Sequence, residues 1–148
     1  MRILGLDYGD RFIGVAISDP FGWTAQALET IKKENPDEYK KPLRRIAEIV
    51  DEYKVEKIVL GYPKNMDNTE GERCVKTNMF RERLEKRFQN IHVPVVLWDE
   101  RLSTLSVTKM LDSGNFSRDR AKRKTILDKL AAVHILQGYL DAFANQTS

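Results

Sequence analysis

The chain has 148 residues, of which 41% are hydrophobic and 32% charged, with a formal net charge of +3 and one cysteine. This length and composition predict a single domain over residues 1–148 and exclude a disordered or fibrous protein, an internal disulfide framework and a cysteine-based zinc site. Since no stretch approaches the roughly 20 apolar residues of a membrane span, and the N-terminus lacks the pattern of a signal peptide, we expect a cytoplasmic protein with no membrane partner.

Two short apolar runs, 2–7 and 13–18, flank the turn-forming segment Tyr8-Gly9-Asp10-Arg11 and predict a β-hairpin. A third strand over about 24–31 completes an antiparallel meander. After a break at Asn35-Pro36-Asp37, apolar residues recur at spacings of three and four, which predicts an amphipathic helix. The apolar stripe of this helix consists of Tyr39, Leu43, Ile46, Val50 and Tyr53.

The rest of the chain continues with alternating strands and helices. The expected elements are a strand over 57–61, a polar loop over 62–71, a helix over 72–88, a strand over 94–98, a short helix over 103–111, a basic loop over 114–124 and a final helix from about Thr125. The apolar side of the helix over 72–88 is expected to consist of Val75, Met79, Phe80, Leu84 and Phe88, and Cys74 is expected to be a small buried residue.

This order of elements predicts an α/β protein with one five-stranded mixed sheet. Right-handed crossovers through the two helices make the first, fourth and fifth strands parallel, while the first three strands form the antiparallel meander. Parallel strands place their carboxyl ends on one edge of the sheet. Asp7, the loop after Gly61, and the pair Asp99-Glu100 should therefore open on one crevice.

The candidate active site consists of acidic residues that are far apart in sequence: Asp7, Asp99 or Glu100, and Asp128 near the start of the last helix. Gathered carboxylates repel each other unless a cation joins them, and oxygen ligands suit Mg²⁺ or Mn²⁺ better than zinc. The chemistry that most often uses such a site is phosphodiester hydrolysis, in which one metal activates water and a second stabilises the leaving oxygen.

Each acid also has a structural interpretation. Asp7 could cap a turn, and Asp99 or Glu100 could favour the N-terminus of the short helix that follows. Asp128, three residues after Thr125, fits the acidic position of a helix capping box whose cap is Thr125. Against this, Ala131 and Ala132 would let the last helix lie close to the sheet and bring Asp128 to the strand ends.

Basic and aromatic residues supply the candidate nucleic-acid contacts. Arg11 and Arg101 flank the acids and could pair with phosphates bidentately. The basic loop contributes Lys122, Arg123 and Lys124, which could contact a nucleic-acid backbone or form an ordinary solvated loop. Trp23, Trp98 and Phe116 could stack on bases, although Trp98 is better explained as a core residue.

Four segments, in this order and at these separations, resemble the YqgF family, also called RuvX. They are Leu6-Asp7-Tyr8-Gly9 with Ile13-Gly14-Val15-Ala16-Ile17-Ser18-Asp19, Gly61-Tyr62-Pro63-Lys64-Asn65-Met66-Asp67 with Thr69 and Gly71, Asp99-Glu100-Arg101-Leu102-Ser103-Thr104, and Asp128-Lys129-Leu130-Ala131-Ala132 with Ile135-Leu136-Gln137 and Tyr139-Leu140-Asp141. The resemblance covers nearly the whole chain.

The resemblance implies a ribonuclease H-like fold and a nuclease that processes the 5′ end of pre-16S ribosomal RNA in the bacterial cytoplasm. It implies catalytic acids at Asp7, Asp99-Glu100 and Asp128, with Asp7, Glu100 and Asp128 holding Mg²⁺ or Mn²⁺. Structured RNA or a ribosomal precursor particle would be the partner, and Asn65 would join the nucleic-acid contacts. Similar chains usually carry arginine where this chain has Phe12, so this chain lacks that guanidinium group for a phosphate contact.

Three other functions remain open at the level of sequence. The first is cleavage of branched DNA as a Holliday junction resolvase. The second is a nucleic-acid-binding module that does not cleave. The third is nucleotide binding of the actin-like ATPase type, because the Asp7-x-Gly9 hairpin also resembles the phosphate-binding turn of that class, although those enzymes enclose the nucleotide between two such domains.

Overall fold

The computed structural model describes residues 2–62, 72–99 and 130–142. These residues form a five-stranded sheet of order β3-β2-β1-β4-β5 and helices that cover it. The strands are β1 (Arg2–Tyr8), β2 (Phe12–Ser18), β3 (Ala25–Lys32), β4 (Val55–Tyr62) and β5 (Val95–Asp99). The helices are α1 (Lys40–Tyr53), α2 (Glu72–Phe88), a short 3-10 helix (Gln89–Ile91), and α3, described over 130–142.

The pairing of the strands confirms the predicted mixed sheet. β1 pairs antiparallel with β2, and β2 pairs antiparallel with β3. β4 lies parallel between β1 and β5. Within the described ranges, no helix combines the length and the apolar character needed to cross a membrane.

The first hairpin turns tightly at Gly9. Its backbone N–H donates to the carbonyl of Phe12 at 3.0 Å, and a Cβ atom on Gly9 would lie only 2.8 Å from that same carbonyl oxygen. A glycine is therefore required at this position. The turn is also shorter than the sequence suggests, since β1 runs through Tyr8 and β2 begins at Phe12.

The two faces of the sheet bury two separate cores. Leu4, Leu6 and Tyr8 of β1 point to the larger core, beneath α1 and α2. Ile3 lies on the opposite face, in a smaller core formed with Ala132 and other residues of α3. Because side chains alternate along a strand, successive positions of β1 face opposite sides of the sheet.

The orientation of α2 differs from the prediction. Val75 and Met79 are 57% and 44% exposed, so their predicted place on the apolar side is wrong. The buried side of α2 consists of Cys74, Thr77, Phe80, Leu84 and Phe88. Phe80 stacks on the ring of Tyr8 with a centroid distance of 4.4 Å, and this large contact is consistent with the observed rotation of the helix. The burial predicted for Cys74 is confirmed.

α3 lies very close to β1 at Gly5. A Cβ atom on Gly5 would lie 2.7 Å from the Cβ atom of Leu136 and 3.2 Å from the carbonyl oxygen of Ala132. Glycine inside a strand weakens it, but glycine also permits such a close approach. Gly5 and the fully buried Ala132 therefore set how near α3 lies to the centre of the sheet.

Two hydrogen bonds fix the direction of α3. Gln137 Oε1 accepts from the backbone N–H of Ala25, at the start of β3, at 2.9 Å. Tyr139 Oη accepts from Lys57 Nζ, near the start of β4, at 2.8 Å. Both partners lie at the amino end of the parallel strands, so the N-terminal direction of α3 leads toward their carboxyl ends.

A buried lysine anchors the first hairpin. Lys33 is 3% exposed, and its Nζ donates to the Tyr8 hydroxyl at 2.5 Å and to the Pro36 carbonyl at 2.9 Å. Its backbone N–H donates to the carbonyl of Arg11 at 2.7 Å. Burial lowers the pKa of the Lys33 ammonium group and raises the pKa of the Tyr8 hydroxyl. One residue thus connects the end of β1, the hairpin turn and the segment after β3.

We expect Gly5→Ala to lower the free energy of unfolding by about 1–3 kcal/mol, because the added methyl group overpacks the contact between β1 and α3. Denaturant titration measures the change. Ala27→Val is the control, since Ala27 is exposed on β3 and added volume there should change stability by less than about 0.5 kcal/mol. Equal effects of the two substitutions would contradict the close contact at Gly5.

The buried Lys33 also predicts a pH dependence of stability. Its pKa is lowered in the folded state from an ordinary value of 10.5, so just below pH 10.5 the unfolded chain binds more protons and stability rises with pH. The raised pKa of Tyr8 acts in the opposite direction, and this effect grows as the pH approaches and passes the ordinary tyrosine value of 10.0.

Denaturant titrations between about pH 8.5 and pH 10 should therefore show a rise in the unfolding free energy of the wild type that Lys33→Met lacks. Lys32→Met, at the exposed neighbouring residue, should retain the rise. Identical pH slopes for the wild type and Lys33→Met would show that the burial of Lys33 does not affect its protonation.

Candidate active site

The carboxyl ends of the three parallel strands lie along one edge of the sheet, as predicted. Leu6 of β1 is in register with Leu60 of β4, and Tyr62 at the end of β4 is in register with Asp99 at the end of β5. Asp7 therefore stands at the same edge as Asp99, with β4 between them.

Asp7 is a half-buried carboxylate on the face of the sheet that α3 covers. Ile3 and Gly5, four and two residues earlier in the same strand, both contact that helix or its core. Asp7 is in register with Gly14 of β2, and Gly61 follows the Leu60 that is paired with Leu6. The residues of β2 and β4 that lie in the same row as Asp7 are therefore both glycines. Neither has a side chain beside the Asp7 carboxylate, which leaves space for a ligand.

Asp99 shares the edge with Asp7 but not the face. Val95 and Leu97 pack against the larger core, whereas Val96 and Trp98 pack against the core beneath α3. Strand alternation therefore directs Asp99 away from the side of the sheet on which Asp7 lies. The other member of the predicted pair, Glu100, lies outside the described residues.

The third predicted acid, Asp128, also lies outside the described residues. What the structure gives is the course of α3, whose Ala132 covers Gly5 and whose N-terminal direction leads toward the edge that carries Asp7. Within residues 2–62, 72–99 and 130–142, no three histidine, cysteine, aspartate or glutamate residues gather as a metal site.

Of the predicted basic contacts, the structure describes Arg11. It is exposed in the hairpin turn, and because β2 begins at Phe12, strand alternation does not apply to it. Phe12 is two residues from Gly14 in β2 and so lies on the same side of the sheet as Asp7. The other predicted contacts, Asn65, Arg101, Lys122, Arg123 and Lys124, lie outside the described residues.

Two residues of β3 that the sequence pattern does not single out lie on the same side of the sheet as Asp7. Thr30 is in register with Gly14, which is itself in register with Asp7, so Thr30 and Asp7 face the same side. Lys32 is in register with Phe12, one row nearer the hairpin turn. A β-bulge between Val15 and Ala16 shifts the register of this pair of strands, and the sequence carries no clear signal for it.

The described tryptophans lie away from Asp7 or within a core. Trp98 is half-buried and meets Tyr139 edge to face, with a centroid distance of 5.8 Å, in agreement with its core interpretation. Trp23 is 72% exposed in the turn between β2 and β3, at the end of the sheet opposite to Asp7. Asp19 braces that turn by accepting from the Trp23 N–H, which lowers the pKa of the Asp19 carboxyl.

Comparison with known proteins identifies the family. The family model described as RuvX, Holliday junction resolvase, matches residues 1–142. A protein of Bacillus licheniformis named putative pre-16S rRNA nuclease is 55% identical over 143 residues, covering 96% of this chain and 98% of its own length. A protein of Bacillus subtilis with the same name is 52% identical over 142 residues, covering 96% and 99%.

Solved structures confirm the ribonuclease H-like fold. Thermus thermophilus RuvC in complex with a Holliday junction superposes with a TM-score of 0.57 at 17% identity, covering 97% of this chain and 96% of that chain. The fowlpox virus Holliday junction resolvase gives a TM-score of 0.51, also at 17% identity, covering 97% and 99%. At such identities the likeness concerns the fold alone, whereas the family match and the much closer relatives concern the sequence itself. The chain belongs to the RuvX family.

Proposed function

We propose that this chain is a metal-dependent nuclease that processes the 5′ end of pre-16S ribosomal RNA in the cytoplasm. The observation that carries the proposal is the position of Asp7. It is a half-buried carboxylate at the carboxyl end of the central strand, between two glycine positions and on the face that α3 covers. The family and the name shared by relatives of about 50% identity support the substrate class.

The donor chemistry of the site fits Mg²⁺ or Mn²⁺. Asp7 offers carboxylate oxygens, the ligands that these ions prefer, and it is held in the central strand of the sheet. We propose Asp7, Glu100 and Asp128 as the residues that hold the ion. When bound, such an ion lowers the pKa of the attacking water and stabilises the leaving oxygen.

Strand alternation favours Glu100 over Asp99 as the second ligand. Val96 and Trp98 belong to the same face as Asp7, and a strand continued by one residue brings the next even-numbered position to that face. Asp99 belongs with Val95 and Leu97 on the opposite face. Asp99 would then contribute to the charge of the edge without reaching the ion.

The geometry of α3 favours Asp128 as the third ligand. Residues four apart share a face of a helix, so residue 128 would lie about 6 Å beyond Ala132 toward the carboxyl edge if the helix continues. Asp7 lies about 6.6 Å beyond Gly5 along β1. Since Ala132 contacts the Gly5 position, the carboxylates of Asp7 and Asp128 would lie at about the same height along β1.

The remaining predicted contacts would hold the substrate. Arg11 is exposed beside the strand that carries Asp7, where its guanidinium group can pair with a phosphate. We propose that Asn65, Arg101, Lys122, Arg123 and Lys124 bind the nucleic-acid backbone from the segments that join or follow the strands. These contacts would orient the scissile phosphate relative to the acids.

A second candidate function is the cleavage of branched DNA. It is favoured by the description of the family model and by the fold shared with resolvases. The same acids would carry out the chemistry, because both reactions hydrolyse a phosphodiester bond. The substrate would then be distinguished by contacts away from Asp7.

We expect cleavage to require Mg²⁺ or Mn²⁺ and to fall at least about a hundredfold in Asp7→Asn, Glu100→Gln and Asp128→Asn, because each removes a ligand charge. Asp99→Asn should lose less than about fivefold, since its side chain faces the other side of the sheet. The assay follows cleavage of precursor rRNA and of a four-way DNA junction, with either metal or with chelator.

Asp141→Asn is the matched control, since Asp141 is exposed near the C-terminal end of α3, far from the edge that carries Asp7. Salt-dependent RNA binding without cleavage would indicate a binding module instead of a nuclease. Phosphate release from ATP alone would indicate a nucleotide-hydrolysing relative. Full activity of Asp7→Asn would contradict the proposed site. A greater loss of cleavage in Asp99→Asn than in Glu100→Gln would indicate that Asp99, and not Glu100, is the metal ligand.

A further inference from the structure

We propose that Thr30 and Lys32 of β3 bind a phosphate of the substrate strand that neighbours the scissile phosphate. The nucleic-acid strand would then run from Asp7 across β2 toward β3, on the face of the sheet that α3 also covers. This inference rests on the proposed nuclease function and adds to it the direction in which the substrate lies.

The register of the meander places the three residues on one face. Asp7 is in register with Gly14, and Gly14 with Thr30, so the side chains of Asp7 and Thr30 point the same way from strands two apart. The distance between such strands is about 9.6 Å. Gly14, which lies between them, contributes no side chain to the row, so the backbone of β2 forms a floor between Asp7 and Thr30.

Thr30 has a hydroxyl group that lacks a partner. Its Oγ1 atom is buried and makes no hydrogen bond to the residues that the structure describes, although Thr30 as a whole is partly exposed. A buried polar atom without a partner is unfavourable, and folded proteins contain few of them. Phosphate binding would require a rotation about χ1 that turns the hydroxyl toward solvent, where a phosphate oxygen would accept its hydrogen bond.

Lys32 supplies a positive charge beside this hydroxyl. It is exposed and lies two residues from Thr30 on the same face, and its side chain makes no hydrogen bond, ion pair or ring contact within the described part of the chain. Its neighbour Lys33, by contrast, is buried against Tyr8. In register with Lys32 is Phe12, which is apolar, so the charge on this row comes from β3.

Nearby acids are paired with other lysines. Asp10 Oδ1 lies 3.2 Å from Lys76 Nζ, and Glu34 Oε1 lies 3.5 Å from Lys41 Nζ. Neither ion pair involves Lys32. A cation that faces solvent on the side of Asp7, next to a hydroxyl donor without a partner, is suited to a phosphate group.

The test measures nucleic-acid binding in an Asp7→Asn background, in which the substrate should stay intact. The probes are a synthetic RNA that spans a pre-16S 5′ boundary and a four-way DNA junction. Lys32→Gln should weaken binding about fivefold and reduce the salt slope by about one. Lys86→Gln removes the same charge from an exposed residue in the last turn of α2, which leads to the amino end of β5, and should change neither.

Thr30→Val should weaken binding about tenfold without lowering the melting temperature, because valine keeps the branched shape and removes the unpaired hydroxyl. Thr30→Ser should retain binding, since it keeps the hydroxyl. If the threonine were only structural, Thr30→Val would leave binding unchanged.

A scan of single methylphosphonate linkages in the probe then locates the contact, since each linkage removes one phosphate charge. When the methylphosphonate lies at one particular position beside the scissile bond, Lys32→Gln should weaken binding no further. If the wild type cleaves with metal but Lys32→Gln behaves like Lys86→Gln, or no such position exists, the inference is wrong while the nuclease function stands. If the wild type neither cleaves nor binds, both are wrong.

Discussion

The close contact between α3 and β1 is the constraint on which the rest of the site depends. Gly5 has no side chain and Ala132 has a small one, so the helix lies directly on the central strand. Gln137 and Tyr139 fix its direction through their bonds at the amino end of the sheet. The N-terminal direction of the described part of α3 therefore leads toward the edge where Asp7 stands.

Alternation within the strands decides which groups can act together at that edge. Asp7, Thr30 and Lys32 belong to the face with α3, while Tyr8 and Lys33 belong to the side of the larger core. The buried Lys33 can therefore stabilise the hairpin that carries Asp7 without itself entering the proposed substrate path. Packing and hydrogen bonding on the side of the larger core thus stabilise the hairpin that carries Asp7 on the opposite face.

The order and pairing of the strands could be predicted because apolar runs, turn residues and right-handed crossovers each leave a local signal. The rotation of α2 could not, since Val75 and Met79 fit a helical stripe as well as Cys74 and Thr77 do, and the stacking of Phe80 on Tyr8 is a tertiary contact. The face on which Asp99 lies depends on the pairing of β5 with β4. The position of Thr30 depends on the register of β2 with β3, which a β-bulge shifts. Both require registers that local patterns do not determine.

The central claim is that the face of the sheet carrying Asp7 holds the catalytic ion. A crystal structure of the Mn²⁺-soaked protein, with anomalous diffraction recorded at the manganese edge, tests it most directly. We expect an anomalous peak about 2 Å from an Asp7 carboxylate oxygen, with Glu100 and Asp128 completing the ligands. A peak bound by Asp99 on the opposite face, or a Mn²⁺-activated enzyme whose ion does not contact Asp7, would contradict it.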